Sequence, residues 1–272
     1  MNGACSSVFA FSLIVLCFSC FYLLLNDEEI AAIDVWTRHG DDQEMFDYAR
    51  NLKTPFLVLD KTLQDRSRDN IDLNYIKEGL ESSDFTMDHC KNGTEEVFTL
   101  LHPERPPSIL PVDQTYQLTT ISAKQFFDSH TSSFLYYTSP VEKLPAQLSS
   151  ELAKTFRSFS FDGIDLVRIK EEQSTYRSQS TLWLGTRGVT ANCHFDRSHN
   201  FFVQLSGQKR WILYPPTDWN SFYLYPSFHP SYHQSQVGKL QSVDIDSFPL
   251  FIRHSIPIEI ILNPGDIMYI PR

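Results

Sequence analysis

The sequence predicts a mainly β domain preceded by a mixed α/β portion, and three observations carry that prediction. Aromatic residues make up 14% of the 272 residues, with 21 Phe, and aromatic and β-branched side chains suit a half-buried pleated surface. Strand-length apolar runs recur in the second half, among them LWLG, NFFVQL, KRWILY and IEIIL, with Ser206-Gly207 as a tight turn between the second and third. Between the first two runs lies His194-Phe195-Asp196. On a strand, residues two apart share a face, so the imidazole and carboxylate are expected to project together. They would form two thirds of a facial triad of two histidines and one carboxylate, which binds ferrous iron and leaves positions open.

The elements follow in order. The run Val8 to Leu25 carries no charge and no proline, a length that predicts a transmembrane anchor or the helix of a cleaved signal peptide. Asp27, Glu28 and Glu29 follow it and orient it poorly. Asp41 to Leu52 has an acidic start and apolar residues at helical spacing, ended by Pro55. FLVL then reads as a short buried strand. A second helix is expected from about Asp72 to Glu81, with a strand near Phe85. The sequon Asn92-Gly93-Thr94 falls in a polar stretch expected to be a loop. With the apolar run, it points to a membrane or secretory-lumen location, cytoplasm or nucleus being the alternative. LHPERPPSILP is a proline-rich seam, SAKQFFDSH a helix and SFLYY a strand. Three segments result: 1–25, 26–115 and 116–272.

Composition narrows the function classes. A net charge of −10 argues against nucleic-acid partners, which require basic patches. Cys5, Cys17 and Cys20 lie in or beside the N-terminal run, and beyond it only Cys90 and Cys193 remain, with no CxxC pair, so neither a zinc site nor a disulfide framework is indicated. Cys193 reads as a small buried hydrophobe facing away from His194.

The stretch GTRGVTANCHFDRSHNFFVQLSGQKRWILYPP resembles the metal-binding core of the JmjC-type cupins, nearest the branch of the hydroxylase that modifies asparagine in the hypoxia-inducible factor. YPSFHPSYHQSQV and NPGDIMYIP continue the resemblance, and KTPFLVLD and DLNYIKEGLESSDF extend it more weakly. It implies a double-stranded β-helix, or jelly-roll cupin. The implied activity is protein hydroxylation on a protein or peptide substrate, using Fe(II) and 2-oxoglutarate. His194 and Asp196 become metal ligands and the reacting centre. Tyr136, Asn200 and Lys209 become 2-oxoglutarate contacts, Lys209 as a buried ammonium beside the far carboxylate. Lysine demethylation is the enzymatic alternative, and a non-catalytic binding cupin the alternative of another class.

Two departures from the family pattern stand out. Ala191 occupies the position where the family commonly carries a co-substrate Thr; the role does not transfer to Thr190, one residue off, so either co-substrate affinity is weaker or Asn192 contributes. The family's second metal histidine follows NPGDIMYIP within a few residues, and this chain stops at Arg272. His199, His229, His233 and His254 read as surface or loop histidines rather than substitutes. The expectation is an incomplete iron site in a chain truncated at its C-terminus.

Overall fold

The computed structural model describes residues 10–19, 34–37, 54–59, 71–93, 97–99, 116–129, 134–157, 180–196, 198–240, 242–254 and 257–271. The helix expected at 41–52 and the proline-rich seam at 101–111 lie outside them. The strands are β1 (Ala10–Ser19), β2 (Asp34–Thr37), β3 (Phe56–Leu59), β4 (Thr86–Gly93), β5 (Val97–Phe98), β6 (Tyr116–Ser122) and β7 (Phe134–Pro140). After them come β8 (Ser180–Gly185), β9 (Thr190–Ala191), β10 (Ser198–Ser206), β11 (Lys209–Leu213), β12 (Ile258–Leu262) and β13 (Ile267–Ile270). The α-helices are α1 (Leu73–Glu81), α2 (Ala123–Asp128) and α3 (Ala146–Arg157).

Nine strands form one sheet in the order β2-β3-β13-β10-β1-β8-β7-β4-β6, antiparallel except for the β2/β3 pair. β11 and β12 form a second, antiparallel sheet, and β5 pairs with β9 in parallel. The Ser206-Gly207 turn therefore carries the chain from one sheet to another, with Gly207 at φ 67°. The mainly β, antiparallel architecture is consistent with the expected cupin. Strands from all three expected segments join the large sheet.

The period-two alternation of the strands builds two separate layers. On β10, Phe201, Val203 and Leu205 join the main core, while Phe202 joins the cluster against the small sheet. On β8, Leu182 and Leu184 face the main core and Trp183 the other side; on β7, Leu135 and Tyr137 divide from Tyr136 in the same way. Helices cover the main-core face. α1 begins where Asp72 accepts a hydrogen bond from Tyr75 N (2.8 Å), and it buries Ile76 and Leu80. α2 opens with a capping box between Ser122 and Gln125 and buries Phe126 and Phe127. Each such Leu or Phe contributes about 1.5–3 kcal/mol by leaving water.

Two N-terminal expectations are corrected. The apolar run expected as a membrane or signal helix supplies β1, paired with β8 on one side and β10 on the other. A uniform apolar run suits a central strand as well as a helix, and periodicity alone does not separate them. No helix among the described residues is long and apolar enough to cross a membrane. Asn92, expected in a loop, lies in β4 opposite Gln117 of β6 and Leu135 of β7. Residues 10–19 of the apolar run and Asn92 of the sequon thus sit in the sheet.

Candidate functional site

The segment expected to hold a metal lies just past β9 rather than on a strand. Only Thr190 and Ala191 pair with β5; His194 then makes a single bridge to Gln234. Backbone bonds from Phe195 N to His233 O (3.2 Å) and from Ser235 N to Cys193 O (2.8 Å) hold the segment against the loop at 233–235. Asn192 is the buried post of this arrangement. Its Nδ2 donates to Thr99 Oγ1 (3.1 Å) and Ser235 O (2.6 Å), and its Oδ1 accepts from Cys193 N (2.8 Å). Those bonds occupy the amide in anchoring.

His194 and Asp196 are both exposed, at the open side of the site. His194 Nδ1 lies 2.6 Å from Asn192 O. A carbonyl oxygen only accepts, so Nδ1 carries the proton and Nε2 keeps its lone pair, the tautomer that a metal requires. Asp196 Oδ2 accepts from Asn200 Nδ2 at 2.6 Å, which orients the carboxylate and leaves its second oxygen outside that bond. These two side chains fit a divalent metal in tautomer and charge. Among the described residues no group of three or more His, Cys, Asp or Glu side chains gathers around one point.

Of the residues expected to contact a co-substrate, Asn200 bonds to Asp196 and Tyr136 lies within reach of its charge, while Lys209 lies on the small sheet. Tyr136 sits on β7 opposite Gly185, its ring 5.4 Å from Trp183 and 5.8 Å from Phe98. Burial, and next the charge of Asp196, push its phenol above the usual range, so it stays a neutral O–H donor. Tyr137 faces the main core instead, as alternation requires. Asn200 and Phe202 share one side of β10, and the Lys209 ammonium lies 5.0 Å from the Phe202 ring and 5.2 Å from Trp211. Burial lowers the Lys209 pKa to about 8. Among the described residues no carboxylate pairs with it; two aromatic faces supply the only compensation in view.

Of the histidines weighed as stand-ins, His229, His233 and His254 lie in loops, as expected, the first buried and the other two half-buried. His229 is fully buried, stacked on Tyr225 at 4.1 Å, with Nδ1 accepting from Ser231 N (3.0 Å). His233 stacks on Phe195, and His254 packs among Tyr214, Phe222 and Phe251. The side chain of His199 lies outside the described set. Burial pushes the Cys193 thiol up to about 12, in keeping with an inert hydrophobe. Reasoning from sequence missed Trp183 and Trp211, whose buried indole Nε1 atoms have no hydrogen-bond partner on this face. The alternation of LWLG and KRWIL was the signal that could have found them.

Known proteins resemble parts of the chain. Human HSPB1-associated protein 1 is 37% identical over 100 residues, covering 35% of this chain and 19% of that protein. JmjC domain-containing protein D of Dictyostelium discoideum is 37% identical over 89 residues, covering 33% and 19%. Mouse tRNA wybutosine-synthesizing protein 5 is 26% identical over 214 residues, covering 72% and 64%. The chain thus spans about a fifth of the first two relatives' length. The profile of the cupin-like domain matches residues 29–272. By that match the chain belongs to the cupin-like domain family, within the JmjC cupin superfamily of Fe(II)/2-oxoglutarate oxygenases.

Proposed function

We propose that this chain carries the site of a JmjC-type protein hydroxylase, its turnover slowed where two protein ligands among the described residues hold the metal. The observation that carries the reading is one continuous wall: Asp196 bonded to Asn200, Asn200 beside Phe202, and Phe202 against the Lys209 ammonium. His194 and Asp196 would hold Fe(II); Lys209 would take the far carboxylate of 2-oxoglutarate, with Asn200 and Tyr136 as hydrogen-bond donors. Bound iron and 2-oxoglutarate supply oxygen activation, which no side chain provides.

The protein's own contribution is binding, orientation and dryness. Asn192 fixes the His194 tautomer through its carbonyl, and Asn200 aims the Asp196 carboxylate. Tyr136 remains protonated and so donates rather than repels. The aromatic walls of Phe202 and Trp211 exclude water from the Lys209 ammonium and strengthen a charge interaction there. Two protein ligands among the described residues enforce the metal's geometry weakly, which favours slow turnover. The same observation supports a second reading, a binding cupin that holds the dicarboxylate without turnover.

Calorimetry with 2-oxoglutarate tests the reading. The metal-loaded chain should bind it, and Lys209→Met should weaken binding by at least about tenfold, since a charge-assisted contact contributes roughly 1.5–3 kcal/mol. Unchanged affinity in Lys209→Met contradicts the site. Rapid succinate formation that depends on His194 contradicts the slow turnover.

A further inference from the structure

We infer that Lys91 forms a second anion subsite, which reads a carboxylate on the substrate peptide. The inference rests on the hydroxylase reading, because it treats the Lys209 pocket as taken by the co-substrate. Lys91 lies on β4 directly opposite Tyr136 of β7. Its Nζ stands 5.6 Å from the centre of the Tyr136 ring, the ring whose hydroxyl feels the charge of Asp196. Lys91 and Asp196 are thus both neighbours of Tyr136.

This ammonium is half-buried, and among the described residues no carboxylate forms an ion pair with it. Its one charge-bearing neighbour, Cys90, is buried on the opposite face with its thiol pushed up to about 12, so it stays neutral and supplies no counter-charge. Burial lowers the pKa of Lys91 for the same reason. A partly desolvated cation held against an aromatic face is costly unless an anion completes it.

The chemistry of that anion follows from the rest of the site. Once chelated to a metal, 2-oxoglutarate has a single remaining carboxylate, and Lys209, on the other sheet, takes it. A second cation calls for a second anion, which the substrate must bring. A single ammonium in a chain of net charge −10 suits one side-chain carboxylate and repels a polyanion. The strand edge is open for approach: Leu118 of β6, paired with Lys91, is 54% exposed. The substrate class is thus a peptide with Asp or Glu near the modified residue.

Competitive amine labelling of the intact chain tests this, with reductive methylation near neutral pH and lysines mapped by mass spectrometry. The probe is N-acetyl-glutamate N-methylamide, and its glutamine counterpart is the neutral control. A single charged contact binds in roughly the millimolar range, so a tenfold excess over that should cut Lys91 labelling by about tenfold. The glutamine compound should leave labelling unchanged, and Lys209→Met should not alter the protection of Lys91. Equal protection by both compounds, or none by either, overturns the inference. Protection by inorganic phosphate or a short oligoribonucleotide instead of the glutamate compound overturns it in favour of a phosphate ligand. Protection of Lys91 by 2-oxoglutarate alone overturns it by assigning the residue to the co-substrate. Failure of 2-oxoglutarate to protect Lys209, with Lys91 still shielded by glutamate, contradicts only the hydroxylase reading.

Discussion

Lys209 is the residue whose behaviour most depends on what occupies the site. Buried against Phe202 and Trp211, its ammonium carries a pKa of about 8 against an ordinary 10.5. The unfolded chain therefore binds more protons than the folded one between those values, and folding stability rises with pH across that window as the buried charge is lost. Below about pH 8 the cost of the buried cation is fully present unless an anion offsets it. Affinity for 2-oxoglutarate should then fall as pH rises past about 8, by about tenfold per unit, because the free lysine no longer carries its charge. In Lys209→Met the pH dependence should vanish along with most of the affinity. A flat profile in the parent would mean that Lys209 does not meet the carboxylate.

At the scale of elements, β1 carries the clearest prediction, because its reading changed between sequence and structure. Leu13 pairs with Val203 of β10 and Leu182 of β8. Leu13→Pro removes a ladder donor in a strand flanked on both sides, at a cost of about 2 kcal/mol or more. The melting temperature should fall by several degrees, about 2–4 °C per kcal/mol in a domain of this size. An unchanged melting temperature would mean that the segment is not a sheet strand. Where local pattern decided the structure, the sequence was legible. NFFVQL alternates, so Phe201 and Phe202 were bound to part to opposite faces. Asp72 and Ser122 are capping residues, and α1 and α2 begin beside them. Where long-range pairing decided it, sequence was silent. Nothing in KRWIL shows that β11 leaves its neighbour β10 to pair with Ile258–Leu262. Nothing in Val8–Leu25 shows that neighbouring strands claim it.

For the whole molecule, the two-layer arrangement explains why the site sits where it does. The helices seal one face of the large sheet, and the opposite face, bearing Tyr136, Trp183, Asn200 and Phe202, meets the small sheet that carries Lys209 and Trp211. His194 and Asp196 lie at the exposed margin, where a metal and a peptide have access. Sequence made the members of this site visible, because each lies in a short motif. It hid the support of the loop at 233–235, whose bonds to the ligand segment span some forty residues. The central claim is that His194 and Asp196 hold a divalent metal, and Mn(II) titration followed by electron paramagnetic resonance tests it most directly. One weakly held Mn(II) per chain is expected, lost in both His194→Ala and Asp196→Ala with the fold intact. Equal Mn(II) binding by the parent and both variants would contradict it.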